Sequence, residues 1–314
     1  MESQVKAQAQ AVSLSEAIQY AKMVDLADLL FKKAVKHKDK ATQINPKIQA
    51  YKDICDDPAY QGVVDPDFLT NYDLLYNLQM NDILLPSIFD PVYYGFIAQN
   101  KSTKDYVIAI RGTENWWEVV ADLFFLPKPF TEFNNKAVVP SGFYDLYESG
   151  LIISPPDAST QIVPLLLKIV AATPALMMPD APKVRTVVAG HSLGATLATY
   201  YAAAVASGLG NSLDLCVYTY ASPKTGDAIF TDTYNKRVAE NHRIFNKPDN
   251  VPNLPPSYTQ VAGGYPIDSS AYSEVQSGAG CAHQLPVYQY TLQRLNGTND
   301  PSILKFDTFD CSKA

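Results

Sequence analysis

Thr186-Val187-Val188-Ala189-Gly190-His191-Ser192-Leu193-Gly194-Ala195-Thr196-Leu197-Ala198 joins an apolar run, a G-x-S-x-G pentapeptide and a helix-like segment in direct succession. The run reads as a buried strand and the segment after the pentapeptide as a helix. A serine on so sharp a strand-to-helix turn is held in a strained, exposed position. Glycines on either side let neighbouring backbone approach where a side chain would clash. The serine hydroxyl then stands above a sheet, and the N–H that follows it points at an oxyanion. The pentapeptide alone is a weak signal; its strand and helix flanks give it meaning.

Working outward, the pattern around this turn is strand, helix, strand, helix, strand. Leu213–Tyr220 and Arg243–Phe245 read as further strands, and Val92–Ala98 with Tyr106–Ile110 as a hairpin joined by the polar turn Asn100–Asp105. Lys136–Val139 reads as a short strand, and Phe143 to Val170 as two helical pieces broken at Pro155-Pro156. Ser13-Leu14-Ser15-Glu16 is a capping box opening a helix to about Val35, with Ala17, Ala21, Val24, Phe31 and Val35 on one face. Residues 40–90 are mixed helical pieces and loops, so the strand-rich core is expected to begin near Val92. The expectation is an α/β fold with a mostly parallel sheet flanked by helices. The whole chain, 1–314, is read as a single domain, with 1–90 a helical extension packed on a core of 90–290.

Bulk composition narrows the function. Hydrophobic residues make up 47% of 314 residues, enough for a sizeable core. A net charge of −7 and the lack of basic runs interleaved with aromatics argue against a nucleic-acid partner. No apolar stretch reaches the roughly 18 residues that a membrane span needs. The first twelve residues, rich in Gln and Ala, show no signal peptide. None of the four cysteines forms a CxxC pair, so no metal is expected. Cys216 reads as a buried thiol inside a strand. One bridge among Cys55, Cys281 and Cys311 is compatible with their loop-like surroundings, with the pairing open.

A serine needs a histidine to take its proton and an acid to orient that histidine. Only four histidines are present. His37 lies in the Lys-rich N-terminal helix, before the sheet. His191 adjoins the serine, and its side chain is expected to point elsewhere. Serine hydrolases built on a strand–serine–helix turn place the acid and then the histidine after the serine. His242 precedes every good acid candidate, which leaves His283, in the loop Gly278–His283. Of the acids between, Asp214 opens a strand, and Asp227 and Asp232 surround a helix start. Asp249 directly follows the strand Arg243–Phe245, where catalytic groups of such sheets sit. Asp268, in a polar loop, stays open on chemistry alone.

With these residues in hand, the chain resembles the fungal-type (class 3) lipases of the α/β-hydrolase superfamily over roughly residues 90–290. The resemblance rests on Ile110-Arg111-Gly112-Thr113, Ala121-Asp122-Leu123, Val139-Pro140-Ser141-Gly142-Phe143, Gly190–Ala195, Tyr220–Gly226 and Asp249–Pro256. Pro140 stands where the family usually has histidine. The stretch Asp249-Asn250-Val251-Pro252-Asn253-Leu254-Pro255-Pro256 resembles the family's D-x-V-P-x-L-P-P, whose first residue is the triad acid, and so favours Asp249 over Asp268. The resemblance implies a catalytic triad of Ser192, Asp249 and His283. It implies an oxyanion hole from the backbone N–H groups of Leu193 and Thr113, with Asp122 fixing the Thr113 hydroxyl. A lid over about 114–128 is implied too, its apolar face including Trp116, Trp117, Val119 and Val120. Core burial is the other reading of that segment.

The implied activity is serine carboxylester hydrolysis of lipid esters, triacylglycerols first, without a cofactor. Phospholipase A1 and feruloyl-type esterase use the same machinery. A lipid-binding protein on this scaffold would not need an intact triad. The implied partners are a lipid ester and a transient lipid–water interface, and the resemblance leans towards a secreted protein.

Overall fold

The computed structural model describes residues 11–36, 45–81, 91–113, 126–159, 165–166, 184–208, 214–306 and 309–312. In chain order the elements are α1 (Leu14–Lys36), α2 (Ile48–Cys55), β1 (Tyr72–Met80), β2 (Val92–Asn100), β3 (Tyr106–Ile110), β4 (Pro127–Pro129) and β5 (Val138–Pro140). There follow α3 (Ser141–Glu148), β6 (Leu151–Ile153), β7 (Leu165–Leu166), β8 (Arg185–His191), α4 (Leu193–Gly208), β9 (Asp214–Tyr220) and α5 (Ala228–Arg237). The chain continues through β10 (Glu240–Asn246), β11 (Gly264–Ile267), α6 (Ala279–His283) and α7 (Leu285–Leu295).

Among the described residues nine strands form one sheet in the order β11-β10-β9-β8-β3-β2-β1-β6-β7. From β3 through β8, β9 and β10 to β11 every pairing is parallel. The strands on the other side of β3 join antiparallel. At the centre of the parallel part, Thr186 to Gly190 of β8 are buried without a break, as a strand covered on both faces requires. On one face lies α4, apolar nearly all round and buried from Leu193 to Ala203 against β8, β9 and α3.

The opposite face is covered by α1. Ala17, Ala21, Val24 and Phe31 are buried as the stripe predicts, and so are Met23, Leu26 and Leu30, because α1 is wedged between the sheet and α7. Each Val, Leu, Met or Phe among them contributes about 1.5–3 kcal/mol when fully buried. The Val35 side chain lies outside the described residues. Half of the predicted capping box forms: Glu16 N donates to Ser13 Oγ at 3.4 Å. The Glu16 carboxylate turns away from the cap, accepting from Tyr218 OH at 2.9 Å and Arg185 Nη2 at 3.3 Å.

Three readings of the sequence are corrected. The sheet does not begin near Val92: β1 pairs antiparallel with β2 and lies between it and β6. Register shifts at Leu74/Tyr76 and Leu78/Gln79 break its alternation, and a buried Asn77 interrupts its apolar run. That asparagine is paired, accepting from Tyr51 OH at 2.6 Å and donating to Pro46 O at 2.8 Å. The helix expected from Phe143 onward stops at Glu148, and Leu151-Ile152-Ile153 pairs instead with β1. His283 ends a short helix, α6, rather than lying in a loop. Cys281 and Cys311 form a disulfide, while Cys55 and Cys216 are buried free thiols.

Candidate active site

Ser192 sits between β8 and α4 with φ 55°, a left-handed conformation that costs a residue bearing a β-carbon about 1–3 kcal/mol. Packing holds it there. Ser192 N donates to Tyr220 O of the neighbouring strand at 2.9 Å, and Ala195 N returns to Ser192 O at 3.0 Å. Both flanking glycines are sterically required. A β-carbon on Gly190 would lie 2.3 Å from Gly194 O, and one on Gly194 would lie 2.3 Å from Arg111 O. The turn is thus pressed against the end of β3.

Three of the residues singled out in the sequence meet above this turn. His283 Nε2 lies 2.9 Å from Ser192 Oγ, and His283 Nδ1 lies 2.9 Å from Asp249 Oδ2. All three are buried, Asp249 being 2% exposed and His283 6%. Asp249 follows β10 and turns back on itself, its N–H donating to Asn246 O at 2.9 Å and its Oδ1 accepting from Val251 N at 2.9 Å. Asp268 stands apart, its carboxylate engaged by Ser270 and, at 3.2 Å, by Lys247 Nζ. Chemically this line can move a proton from the hydroxyl to Nε2 while a buried carboxylate supports the cation that forms.

Leu193, whose N–H follows the nucleophile, is the buried first residue of α4. Thr113 ends the described part of the loop after β3. Its neighbour Gly112 abuts the elbow, where a β-carbon would come within 3.3 Å of Ser192 Cβ. Arg111 fixes this loop from below: Nη1 donates to Gly112 O at 2.7 Å and Nε to Tyr93 O at 2.8 Å. Its guanidinium is sandwiched between the rings of Phe31 (3.4 Å) and Tyr94 (4.4 Å), so α1 reaches the base of the loop. Asp122, Trp116, Trp117, Val119 and Val120 lie outside the described residues, as does the lid apart from residues 126–128.

The sequence did not signal three further residues around the line. Tyr288 OH donates to Asp249 Oδ2 at 2.7 Å and accepts from Asn246 N at 3.0 Å. Burial, reinforced by the Asp249 carboxylate, pushes the Tyr288 hydroxyl well above its ordinary range, so it stays a donor. Asn246 Nδ2 donates to Ala282 O at 2.9 Å, tying the His283 segment to β10. His191 does not point away from the site: its Nε2 lies 2.8 Å from His283 O. A polar residue at the end of a buried strand, as Asn246 is, was the one available signal.

Among the described residues, Cys216, Glu240 and His242 place potential metal ligands within 4.8 Å of one another. They lie toward the amino-terminal ends of β9 and β10, whereas Ser192 follows the carboxyl end of the parallel strand β8. Both Glu240 oxygens already accept from Arg185, at 3.0 and 3.3 Å, and Arg185 also meets Glu16. The Glu240 carboxylate is thus already paired with a guanidinium, and the group reads as part of an ion-pair network.

Comparison with known proteins fits this geometry. The chain is 29% identical over 222 residues to phospholipase A1-IIgamma of Arabidopsis thaliana, covering 65% of this chain and 52% of that protein. It is 28% identical over 177 residues to secreted mono- and diacylglycerol lipase 1 of Fusarium solani, covering 56% and 46%. It thus spans about half the length of these curated relatives. The structure of the Rhizomucor miehei triacylglyceride lipase superposes with a TM-score of 0.55 at 21% identity, over 82% of each chain. That likeness is one of fold, the α/β-hydrolase fold. The family model for lipase (class 3) matches residues 107–259, from β3 through the serine elbow and Asp249. The strand-end serine and Asp249 both fall inside that matched stretch, and over it the chain is similar to the class 3 lipases.

Proposed function

We propose that this chain is a serine carboxylester hydrolase that cleaves lipid esters through an acyl-enzyme on Ser192. One observation carries the reading: the unbroken line from Ser192 Oγ through both His283 nitrogens to Asp249, with 2.9 Å at each step. His283 Nε2 takes the serine proton as Oγ attacks the ester carbonyl. Asp249 keeps Nδ1–H in place and supports the imidazolium. The negative charge on the carbonyl oxygen goes to the N–H groups of Leu193 and Thr113, each such donor being worth roughly 3–4 kcal/mol. His283 then gives its proton to the leaving alcohol and takes another from water as the water oxygen attacks the acyl carbon; the bond to Ser192 Oγ breaks, the acid leaves, and His283 returns that proton to Oγ.

In this reading the whole chain is one catalytic domain, since buried apolar side chains from Ala17 to Cys311 belong to a single cluster. Asp122 orients the Thr113 hydroxyl, and the segment bearing Trp116, Trp117, Val119 and Val120 is a flap that meets the lipid–water interface. Leu126, near the end of the implied lid, is 64% exposed, an apolar side chain open to solvent.

Triacylglycerol is the substrate we favour. Phospholipid cleavage is the second reading, favoured by the likeness to the Arabidopsis phospholipase A1. Fatty-acid release from triolein, dioleoylphosphatidylcholine and tributyrin, below and above tributyrin's solubility limit, separates them. Triolein turnover with a rate rise at the interface supports the first, and release from phosphatidylcholine alone the second. Hydrolysis of soluble esters only would remove the lipid assignment.

A further inference from the structure

His191 closes β8, one residue before Ser192. Its ring lies in the seam between two parts of the site. Nε2 is 2.8 Å from the main-chain oxygen of His283. A carbonyl only accepts, so Nε2 carries the proton and donates. The His191 and His283 rings are 5.0 Å apart, and Tyr288 lies 6.3 Å from His191. On the other edge Gly112 comes so close that a β-carbon there would stand 3.0 Å from His191 Nδ1. One imidazole therefore touches the loop leading to Thr113 and the segment carrying His283.

We propose that His191 is a positioning residue: its Nε2–H···O=C bond sets where His283 stands relative to Ser192. The proposal rests on the triad reading above. His283 ends a helix of only five residues, too short to hold a side chain by its own stiffness. Two consecutive carbonyls of that helix are tied to the sheet, Ala282 O by Asn246 from β10 and His283 O by His191 from β8. With both ties made, His283 Nδ1 reaches Asp249 and Nε2 reaches Ser192 together. Loss of the His191 tie frees the main chain of His283, and a displacement near 1 Å costs about a hundredfold in rate.

The charge state of His191 suits the role. Burial, and next the charge of the neighbouring His283, hold it down to about 3, against the bond to the His283 carbonyl and the Asp28 and Asp249 carboxylates, which pull the other way. It stays neutral while His283 turns cationic in the reaction, so no like charge opposes that step 5.0 Å away.

The test compares His191→Phe, His191→Asn and His191→Gln on p-nitrophenyl butyrate. Phenylalanine keeps the ring without the donor, asparagine is too short to reach the carbonyl, and glutamine can reach it. Phe and Asn should lower kcat about 10- to 100-fold with KM within about twofold. Both should shift the acid limb of kcat/KM to lower pH, because a displaced imidazolium loses part of its support from Asp249. Gln should recover most of kcat. Should the Phe protein fail to fold, the Asn and Gln pair carries the comparison. Wild-type kcat and pH profile in Asn, or equal impairment in Asn and Gln, would overturn the proposal. Fluorophosphonate labelling of Ser192 in the wild type is the separate control: its absence would sink the triad reading instead.

Discussion

Tyr288 and His283 share one carboxylate oxygen. Tyr288 OH donates to Asp249 Oδ2 at 2.7 Å, and His283 Nδ1 lies 2.9 Å from the same atom. The tyrosine oxygen also accepts Asn246 N at 3.0 Å, so one buried hydroxyl links β10, the acid and α7. Tyr288→Phe leaves the Asn246 N–H without its acceptor, at a cost of about 1–3 kcal/mol. The same change removes a competing donor from Asp249 and strengthens the carboxylate's hold on protonated His283. We expect a lower thermal midpoint together with an acid limb of kcat/KM moved to higher pH. An unchanged midpoint would contradict the buried network.

Asp249→Asn tests which acid serves the histidine. The amide cannot support an imidazolium and favours the wrong tautomer, so kcat should fall by about 10⁴ with the fold retained. Asp268→Asn, whose carboxylate faces Ser270 and Lys247, should change kcat less than about twofold. Reversal of the two effects in a steady-state assay would reassign the acid.

Asp25 gives a pH signature unrelated to catalysis. It is 1% exposed on α1, beside the Gln289 amide. Burial, and then Asp28, raise it well above the ordinary carboxylate range, against Lys32 and the Gln289 bond. A raised folded value means that proton binding favours the native state. That stability is complete below the unfolded value of about 4 and is lost as pH rises through the folded one. Asp25→Asn has no such loss. Its thermal midpoint, relative to wild type, should therefore climb steadily from about pH 4 upward. A difference flat across that range would contradict a protonated native Asp25.

Much of this was readable before any coordinates. The turn at Ser192 announces itself through local contrast, an apolar strand and an apolar helix meeting at two glycines. His283 followed from chain order and the scarcity of histidines. Asp249 followed from its place after a strand together with the family resemblance. Tyr288, Asn246 and His191 were not readable as partners. Their contacts join residues 39, 36 and 92 positions apart, and no local period encodes such pairs. Bulges hid β1 in the same way, by spoiling the alternation that marks a strand. The Cys281–Cys311 bridge needed geometry, since spacing left Cys55 equally eligible.

The central claim is that Ser192 is a nucleophile activated by His283. Its most direct test is fluorophosphonate labelling followed by peptide mass analysis, on wild type, Ser192→Ala and His283→Ala. The account predicts one adduct in wild type, on the peptide holding Ser192. The adduct should be absent in Ser192→Ala, and in His283→Ala it should form at least about a hundredfold more slowly. An adduct on another residue, or undiminished ester hydrolysis by Ser192→Ala, would contradict it.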